Sequence, residues 1–239
     1  MYRKELNERS PLRLFEHSIH GGLGRGNLGV VVARHGIGKT AFLVGIALDD
    51  AMRERKVLHV SLDSTVDHIR EFYDEIFMDL AHSEHLDDIP SERLEMERNR
   101  MIHTYVGKSF TIPKLRHSVN FLKEYAQFEP ACMILEGFDF ERAKLDDIEA
   151  FRQMAVDFNV EMWMSAVTHR GVPLDENGIP EPVANVSSAI SVIVQMADES
   201  DGVQLSLLKD HDNPNVAKLT LALDPSTMLV VNKSSRLPF

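Results

Sequence analysis

The chain has 239 residues, of which 44% are hydrophobic, so it is long and apolar enough for one good-sized domain with a real core. Its 26 basic and 37 acidic residues give a formal net charge of −11 at pH 7, which opposes a general electrostatic attraction to nucleic acid or to anionic membranes. Its single cysteine, Cys132, excludes an internal disulfide and a cysteine-based zinc site. The start does not have the pattern of a signal peptide, and no uncharged segment is apolar enough to span a membrane. We therefore expect a cytoplasmic protein.

The first half of the chain alternates short apolar runs with segments of helical periodicity, which is typical of strand–helix units built around a parallel sheet. We predict strands over 28–32 and 57–62, and helices over 39–53 and 66–80. Residues 81–100 are so highly charged that we expect an exposed, partly helical excursion rather than a part of the core.

The alternation continues through the middle of the chain. Strands are predicted over 101–106, 131–135 and 160–167, and helices over 111–128 and 146–158. The strand at 131–135 contains the cysteine, which we expect to pack as a small hydrophobic side chain.

From residue 189 onwards the pattern changes to strand-like pieces separated by polar turn sequences. An antiparallel edge added to a parallel sheet is the simplest arrangement for such pieces, and we find no internal repeat or convincing linker. We therefore predict one α/β domain over 1–239 with an N-terminal extension over 1–19. Its central sheet is expected to be mostly parallel, with helices on both faces and antiparallel strands at the C-terminal edge. These last strands are predicted at 189–196, 203–209, 217–223 and 228–231.

A phosphate-binding motif follows the first predicted strand. Residues 33–40, A-R-H-G-I-G-K-T, match the pattern G-x-x-x-x-G-K-[ST] at every fixed position except the first, Ala33. In this pattern the backbone N–H groups at a helix start attract an anion, Lys39 neutralises terminal phosphate charge and the Thr40 hydroxyl can bind Mg²⁺. Alanine is the smallest replacement for glycine, and it falls where the strand ends rather than in the tight part of the loop.

Eight consecutive residues of this motif are expected to contact a nucleotide. Two of them, Arg34 and His35, either add positive charge near the phosphates or point to solvent. The alternative for the whole segment is an ordinary strand–turn–helix junction in which G-K-T occurs by chance. The eight residues are Arg34, His35, Gly36, Ile37, Gly38, Lys39, Thr40 and Ala41.

Four segments of the chain resemble the RecA-fold ATPases, and within them the KaiC/RadA-like and DnaB-helicase-like branch. The stretch 21–40, GGLGRGNLGVVVARHGIGKT, is similar to the glycine-rich lead-in, the first core strand and the phosphate loop of that branch. By order and spacing, 56–65 resembles the second strand with its acidic end, 128–140 the magnesium-site strand, and 162–171 the strand that ends in a phosphate sensor. The resemblance implies a RecA-like fold, ATP and Mg²⁺ as ligands, and assembly into rings or filaments.

The resemblance also implies roles for single residues. Lys39 would hold the terminal phosphates and Thr40 would bind Mg²⁺. Asp63 stands where this branch usually has a glutamate that orients or deprotonates the attacking water, and aspartate is one methylene shorter. The alternative is that Asp63 or Ser64 is the N-cap of the following helix.

Glu136 stands where the branch has an aspartate that holds a magnesium-bound water or the threonine hydroxyl. A carboxylate is kept at this position, but on a side chain that is one methylene longer, so we expect Mg²⁺ to bind. Two alternatives remain open at this stage. Glu136 can be an ordinary solvent-facing strand end, and Asp139 can take its role if the register is shifted. We prefer Glu136 because it directly follows the apolar run of the strand.

Two further pairs are implied by the resemblance. Thr168 and His169 resemble the polar pair that senses the terminal phosphate, although a surface histidine is an equal alternative for His169. Lys209 matches a Lys-x-Arg element that reaches the nucleotide of the neighbouring subunit, and His211 stands at the arginine position. Because a titratable ring replaces a bidentate donor, we expect weaker stimulation of hydrolysis between subunits.

The function predicted from these residues is that of an Mg·ATP-binding RecA-like ATPase with slow hydrolysis, acting as an oligomeric regulator or motor. Its catalytic candidates are Lys39, Asp63 and His169, and its metal candidates are Thr40 and Glu136. The alternative is a nucleotide-responsive regulatory protein with vestigial hydrolysis, which would explain the departures from the family pattern together. A motor acting on DNA ranks last because of the negative net charge. We expect a homo-oligomer and a protein partner, and no membrane association.

Overall fold

The computed structural model of the chain describes residues 3–105, 107, 109–200 and 202–236. In this part of the chain nine strands form one sheet. They are β1 (Leu28–Ala33), β2 (Val57–Ser61), β3 (Arg100–Thr104), β4 (Cys132–Glu136), β5 (Glu161–Val167), β6 (Val192–Glu199), β7 (Gly202–Asp210), β8 (Leu221–Leu223) and β9 (Val230–Asn232). Their order across the sheet is β3-β2-β4-β5-β1-β6-β7-β8-β9.

The sheet has a parallel part and an antiparallel part. Neighbouring strands from β3 to β6 in this order pair in parallel, whereas β7, β8 and β9 continue the sheet with antiparallel pairings. The predicted architecture is confirmed. The parallel strands all end at the same edge of the sheet, which we name the carboxyl edge, and begin at the opposite edge, which we name the amino edge.

Helices cover both faces of the sheet. Because β1 lies between two layers of helices, all six of its residues are buried, which explains why its sequence is an unbroken apolar run. Helices α2, α3, α4 and α5 contribute to the core on one face, and α6 and α7 to the core on the other. Among the described residues, no helix combines the length and the apolar character needed to cross a membrane. The α-helices are α1 (Arg3–Arg9), α2 (Pro11–Ser18), α3 (Lys39–Met52), α4 (Val66–Ser83), α5 (Ile89–Arg98), α6 (Ile112–Tyr125) and α7 (Leu145–Phe158), and short 3₁₀ helices span Val183–Ala189 and Lys233–Arg236.

The N-terminal extension packs on the main core. The Phe15 ring on α2 meets the Phe42 ring edge-on, with centroids 5.6 Å apart, and lies 5.9 Å from the Trp163 ring on β5. The side chains of Leu12 and Phe15 are both buried. Helix α2 therefore shields α3 and the start of β5 from water.

The charged segment 81–100 is more structured than its composition suggests. Most of its side chains are exposed, as expected, and it contains α5. However, Met96 is completely buried and Leu86 nearly so, and Arg100 already belongs to the edge strand β3. The segment therefore adds apolar side chains to the core beside α3. Residue 106, the last of the strand predicted over 101–106, lies outside the described residues.

Candidate functional site

The phosphate motif forms a tight loop between β1 and α3. The strand ends at Ala33, the helix begins at Lys39, and the chain turns through Gly36 and Gly38 with φ angles of 79° and 99°. Side chains rarely adopt this left-handed region, and a Cβ on Gly38 would also lie 3.1 Å from Cδ1 of Leu223 on β8. Gly38 therefore serves both the turn and the close approach of β8.

The first turn of α3 has the properties of an anion-binding site. Gly38 is its N-cap and has no side chain that could accept hydrogen bonds from the N–H groups of the first turn. No acidic residue lies in that turn, and Thr40, its second residue, is half-buried. Because the dipole of a 14-residue helix adds to these donors, the start of α3 favours a negatively charged group.

The Lys39 side chain folds back across the loop. Its Nζ donates hydrogen bonds to the backbone carbonyl oxygens of Ala33, at 3.3 Å, and Arg34, at 3.1 Å. Burial lowers the pKa of Lys39, while the negative charges of Glu136 and Asp63 act in the opposite direction. An ammonium group is thus held inside the curve of the loop, close to two carboxylates.

Those two carboxylates come from the ends of neighbouring parallel strands. Ser61, the last residue of β2, is the register partner of Glu136, the last residue of β4. The Glu136 side chain is buried, and Asp63 follows β2 in an exposed turn, where its Oδ1 accepts a hydrogen bond from Ser61 Oγ at 3.0 Å. A Cβ on Gly137 would lie 2.7 Å from Asp63 Cγ. Glycine at 137 therefore allows Asp63 to lie directly against the backbone beside Glu136, a role that the motifs in the sequence did not reveal.

The alternatives for these carboxylates can now be decided. The N-cap of α4 is Thr65, whose hydroxyl accepts from the His68 amide at 3.2 Å, so neither Asp63 nor Ser64 has that role. Asp139 lies beyond the end of β4, is exposed, and accepts a hydrogen bond from the Arg142 amide. Glu136 is a buried strand end and not a solvent-facing one. The carboxylates beside Lys39 are therefore Asp63 and Glu136.

A buried histidine contacts Glu136. His59, in the middle of β2, has Nε2 3.3 Å from Glu136 Oε2 and Nδ1 3.1 Å from the hydroxyl oxygen of Tyr73 on α4. The side chains of His59 and Tyr73 are both fully buried. Neither residue was among the candidates predicted from the sequence. The signal that could have found the pair was a histidine inside the otherwise apolar run V-L-H-V of a predicted strand.

Thr168 and His169 follow the end of β5, at the carboxyl edge. The Thr168 amide donates to the carbonyl oxygen of Ala33 at 3.0 Å, and its hydroxyl donates to the carbonyl oxygen of Glu181 at 2.7 Å. His169 is largely exposed, and its Nε2 lies 3.1 Å from Oε1 of the equally exposed Glu141. Thr168 therefore supports the phosphate loop through its backbone, while His169 contacts a neighbouring loop.

The other motif residues differ in what their side chains can reach. Arg34 forms an exposed ion pair with Asp198 at the end of β6, at 3.4 Å, and His35 is exposed. Ile37 and Ala41 are buried in the core. These two residues can therefore offer a ligand only their backbone groups, whereas the side chains of Arg34 and His35 lie at the rim.

Lys209 and His211 lie at the amino edge, away from the phosphate loop of their own chain. Lys209 Nζ donates to the Ser187 carbonyl oxygen at 2.8 Å, and burial lowers its pKa. The His211 ring has Nε2 3.0 Å from the Leu23 carbonyl oxygen and Nδ1 2.9 Å from Asp210 Oδ1. Both side chains therefore have partners within the chain.

The arrangement at the carboxyl edge fits a magnesium ion that is shared with phosphate. Within the described ranges, no group of three or more histidine, cysteine or acidic side chains could hold a metal ion by itself. Mg²⁺ usually keeps several waters and is bound by one or two carboxylates together with phosphate oxygens. One hydroxyl, Thr40, and one buried carboxylate, Glu136, match that mode better than a cage made by the protein alone.

Comparison with known proteins identifies the fold. The chain is similar to a solved structure, the ATPase domain of a DnaB-like helicase, with a TM-score of 0.67 and 14% sequence identity over 92% of this chain and 89% of that chain. No family model and no curated protein matches the chain. At this identity the likeness establishes a RecA-like α/β fold, while the branch within the RecA-fold ATPases stays a prediction.

Proposed function

We propose that the protein binds Mg·ATP and hydrolyses it slowly. The observation that carries this proposal is the convergence of the anion-binding start of α3, the Lys39 ammonium and the carboxylates of Asp63 and Glu136 at one edge of the sheet. Phosphoryl transfer depends mainly on such positioning and on charge stabilisation. The RecA-like fold, shared with an ATPase domain, supports the proposal.

Each group has a distinct task in this mechanism. The amides of the loop and of the first turn of α3 hold the phosphate chain, and Lys39 exchanges its backbone acceptors for phosphate oxygens. Thr40 and Glu136 would hold Mg²⁺, which neutralises phosphate charge and favours the displacement when bound. Asp63 accepts a proton from the attacking water.

Slow hydrolysis follows from the geometry of the proposed base. Asp63 is a short side chain, and its Oδ1 already accepts a hydrogen bond from Ser61 Oγ. A general base must come within hydrogen-bond distance of the proton that it removes, so a short and engaged carboxylate reaches the water less often. We expect this limit to act on the chemical step and not on nucleotide affinity.

A second candidate function is nucleotide-dependent regulation of a protein partner without significant hydrolysis. It is favoured by His211, which has partners in its own chain at a position where relatives use an arginine toward the next subunit. In this alternative a homo-oligomer forms, but no residue crosses to stimulate hydrolysis. The negative net charge makes a protein a better partner than nucleic acid.

The test of ATP hydrolysis is Lys39→Ala, compared with Lys56→Ala. Lys56 precedes β2 at the amino edge, where its Nζ donates to the Gln127 carbonyl oxygen, so it is a matched lysine outside the site. We expect phosphate release and Mg·ATP affinity to fall at least about tenfold in Lys39→Ala, since a charge-assisted contact contributes about 1.5–3 kcal/mol, and to be unchanged in the control.

Four outcomes separate the alternatives. Hydrolysis that persists in Lys39→Ala would rule out the proposed site. Tight Mg·ATP binding by the native protein with no product formed would select the regulatory function. Absence of any nucleotide binding would remove both. Strong, steeply salt-dependent retention of DNA on a filter would instead favour a motor that acts on nucleic acid.

A further inference from the structure

His59 lies in a position that the proposed chemistry does not yet explain. Residues 57, 59 and 61 of β2 share one face of the sheet, and across the parallel pairing the end of that face meets Glu136. Burying an imidazole ring is costly unless its nitrogens have hydrogen-bonding partners. Both nitrogens of His59 have them, in Tyr73 on one side and Glu136 on the other.

The direction of these hydrogen bonds follows from the chemistry of the partners. A carboxylate only accepts, so Nε2–H of His59 donates to Glu136 Oε2. In a neutral ring Nδ1 then accepts, and the Tyr73 hydroxyl is its donor. The proton arrangement is therefore self-consistent from Tyr73 through His59 to Glu136.

The ring is also held in place by packing. The His59 and Tyr73 rings meet at 71° with centroids 5.6 Å apart, and the Arg100 guanidinium also packs against Tyr73, 4.6 Å from the centroid of its ring. His59 and Tyr73 are completely buried. A ring confined in this way presents its Nε2–H to Glu136 in a fixed direction.

This contact matters because Glu136 needs a constraint that an aspartate would not. Glutamate has one more rotatable bond than aspartate, and each ordered bond costs conformational entropy. A hydrogen bond to Oε2 selects one orientation of the carboxylate and leaves Oε1 outside this contact. We propose that His59 is a positioning residue that holds Glu136 in the orientation used for Mg²⁺. This inference rests on the proposed function of the site.

A histidine that only fills the core would make a different prediction. Its loss would lower the stability of the fold without changing the Mg²⁺ dependence of nucleotide binding separately from the metal-free affinity. A positioning residue changes the Mg²⁺ dependence specifically, because hydrogen bonds to a metal-binding carboxylate set its orientation. The two roles can therefore be separated by a binding measurement.

The experiment uses the full chain and the non-hydrolysable analogue adenylyl imidodiphosphate. Calorimetry first measures its affinity in EDTA, and a MgCl₂ titration then gives the Mg²⁺ concentration at which the strengthening of binding is half-maximal. For His59→Leu we expect this concentration to rise about 10-fold or more, with the affinity in EDTA unchanged within about twofold. For His59→Gln, whose amide can donate from nearly the position of Nε2, we expect most of the Mg²⁺ dependence to be kept.

The matched control is His103→Leu. His103 lies on β3 as the register partner of Val60, so it belongs to the opposite face of the sheet from His59, and its ring packs against Tyr105. It should leave the Mg²⁺ titration unchanged. If His59→Leu does not give a cooperative unfolding transition, Tyr73→Phe replaces it. We expect a rise of about threefold there, as for one lost hydrogen bond.

Every result bears on the inference. A Mg²⁺ titration of His59→Leu, or of Tyr73→Phe where the former does not fold, that matches the native protein would overturn it and leave the proposed function intact. Equal weakening of binding with and without Mg²⁺ would also overturn it, since that is the signature of a structural role. A native protein that does not bind the analogue at all would defeat the proposed function and the inference together.

Discussion

The two edges of the parallel sheet both carry ionised side chains in buried surroundings, but they differ in how those charges are paired. At the amino edge, Asp49 and Asp50 in the last turns of α3 both contact Arg53, at 3.1 Å and 2.9 Å. At the carboxyl edge, Lys39 donates to backbone carbonyl groups and forms no salt bridge with the nearby Glu136. Charges are matched with each other at one edge and held near each other at the other.

A single helix explains the difference. Helix α3 begins at the carboxyl edge, where its dipole attracts anions, and ends at the amino edge, where acidic residues are unfavourable. Asp49 and Asp50 lie at that unfavourable end and are stabilised by three arginines, Arg13, Arg53 and Arg55. The amino edge is therefore arranged for stability and the carboxyl edge for ligand exchange. Substitutions at the two edges should consequently affect different measurements.

Asp63→Asn should have the largest effect, and at the carboxyl edge alone. Asparagine keeps the shape but cannot accept a proton, so we expect ATP hydrolysis to fall about 100-fold or more. Affinity for Mg·ATP and the free energy of unfolding should hardly change, because the side chain is exposed. Phosphate release, calorimetry and urea denaturation measure the three quantities. Asp67→Asn, exposed in the first turn of α4, is the control. An unchanged hydrolysis rate in Asp63→Asn would mean that another group activates the water.

Arg53→Ala tests the amino edge. The Arg53 guanidinium contacts the carboxylates of Glu16, Asp49 and Asp50 at 2.8, 3.1 and 2.9 Å, and its side chain is 28% exposed. Removing it leaves buried carboxylates without one of their partners, so we expect a loss of about 2 kcal/mol in the free energy of unfolding. Nucleotide affinity should stay the same. Arg93→Ala, which removes an exposed ion pair, should cost no more than about 0.5 kcal/mol. A loss of nucleotide binding in folded Arg53→Ala would show that the two edges are not independent.

The pH dependence of stability offers a third test, through Asp50. Burial raises the pKa of Asp50 to about 6, against the opposing charge of Arg55. Because the folded protein then holds this proton more tightly than the unfolded chain, the contribution is fully present below about pH 4 and is lost as the pH rises through about 6. The unfolding free energy of the native protein minus that of Asp50→Asn should therefore fall by about 1–3 kcal/mol between pH 4 and pH 7. Parallel pH profiles for the two proteins would contradict the assignment.

His169→Gln should have the smallest effect. Its ring is exposed and contacts the exposed Glu141, and such pairs contribute about 1 kcal/mol or less. We expect hydrolysis and Mg·ATP affinity to stay within about threefold of the native values in steady-state and calorimetric measurements. A fall of tenfold or more in hydrolysis alone would instead identify His169 as the phosphate sensor that the sequence resemblance implies.

Much of the fold could be predicted because its signals are local. The apolar run of β1, the loop glycines and the helix that starts at Lys39 are contiguous, so one short motif specifies strand, turn and anion site together. The change from helix-separated runs to turn-separated runs near residue 189 likewise predicts the antiparallel edge. These features depend on nearest neighbours along the chain and on hydrophobic periodicity.

The candidate site could be predicted only in part. Lys39, Asp63 and Glu136 each follow a strand or begin a helix, so their common location at the carboxyl edge follows from parallel topology. His59 and Glu136 are 77 residues apart, and they meet because β2 pairs directly with β4. The burial of Met96 in a highly charged segment also depends on packing between helices far apart in the sequence.

The amino-acid sequence by itself determined that a phosphate loop joins a buried strand to a helix, since glycine dihedral freedom and helix-end donors are local properties. Only the tertiary structure decided which side chains meet there. It placed Asp63 against the backbone of Gly137, tied His59 to Glu136, and gave His211 partners within the chain. These contacts depend on strand order and on close packing between distant segments, which no short stretch of sequence specifies.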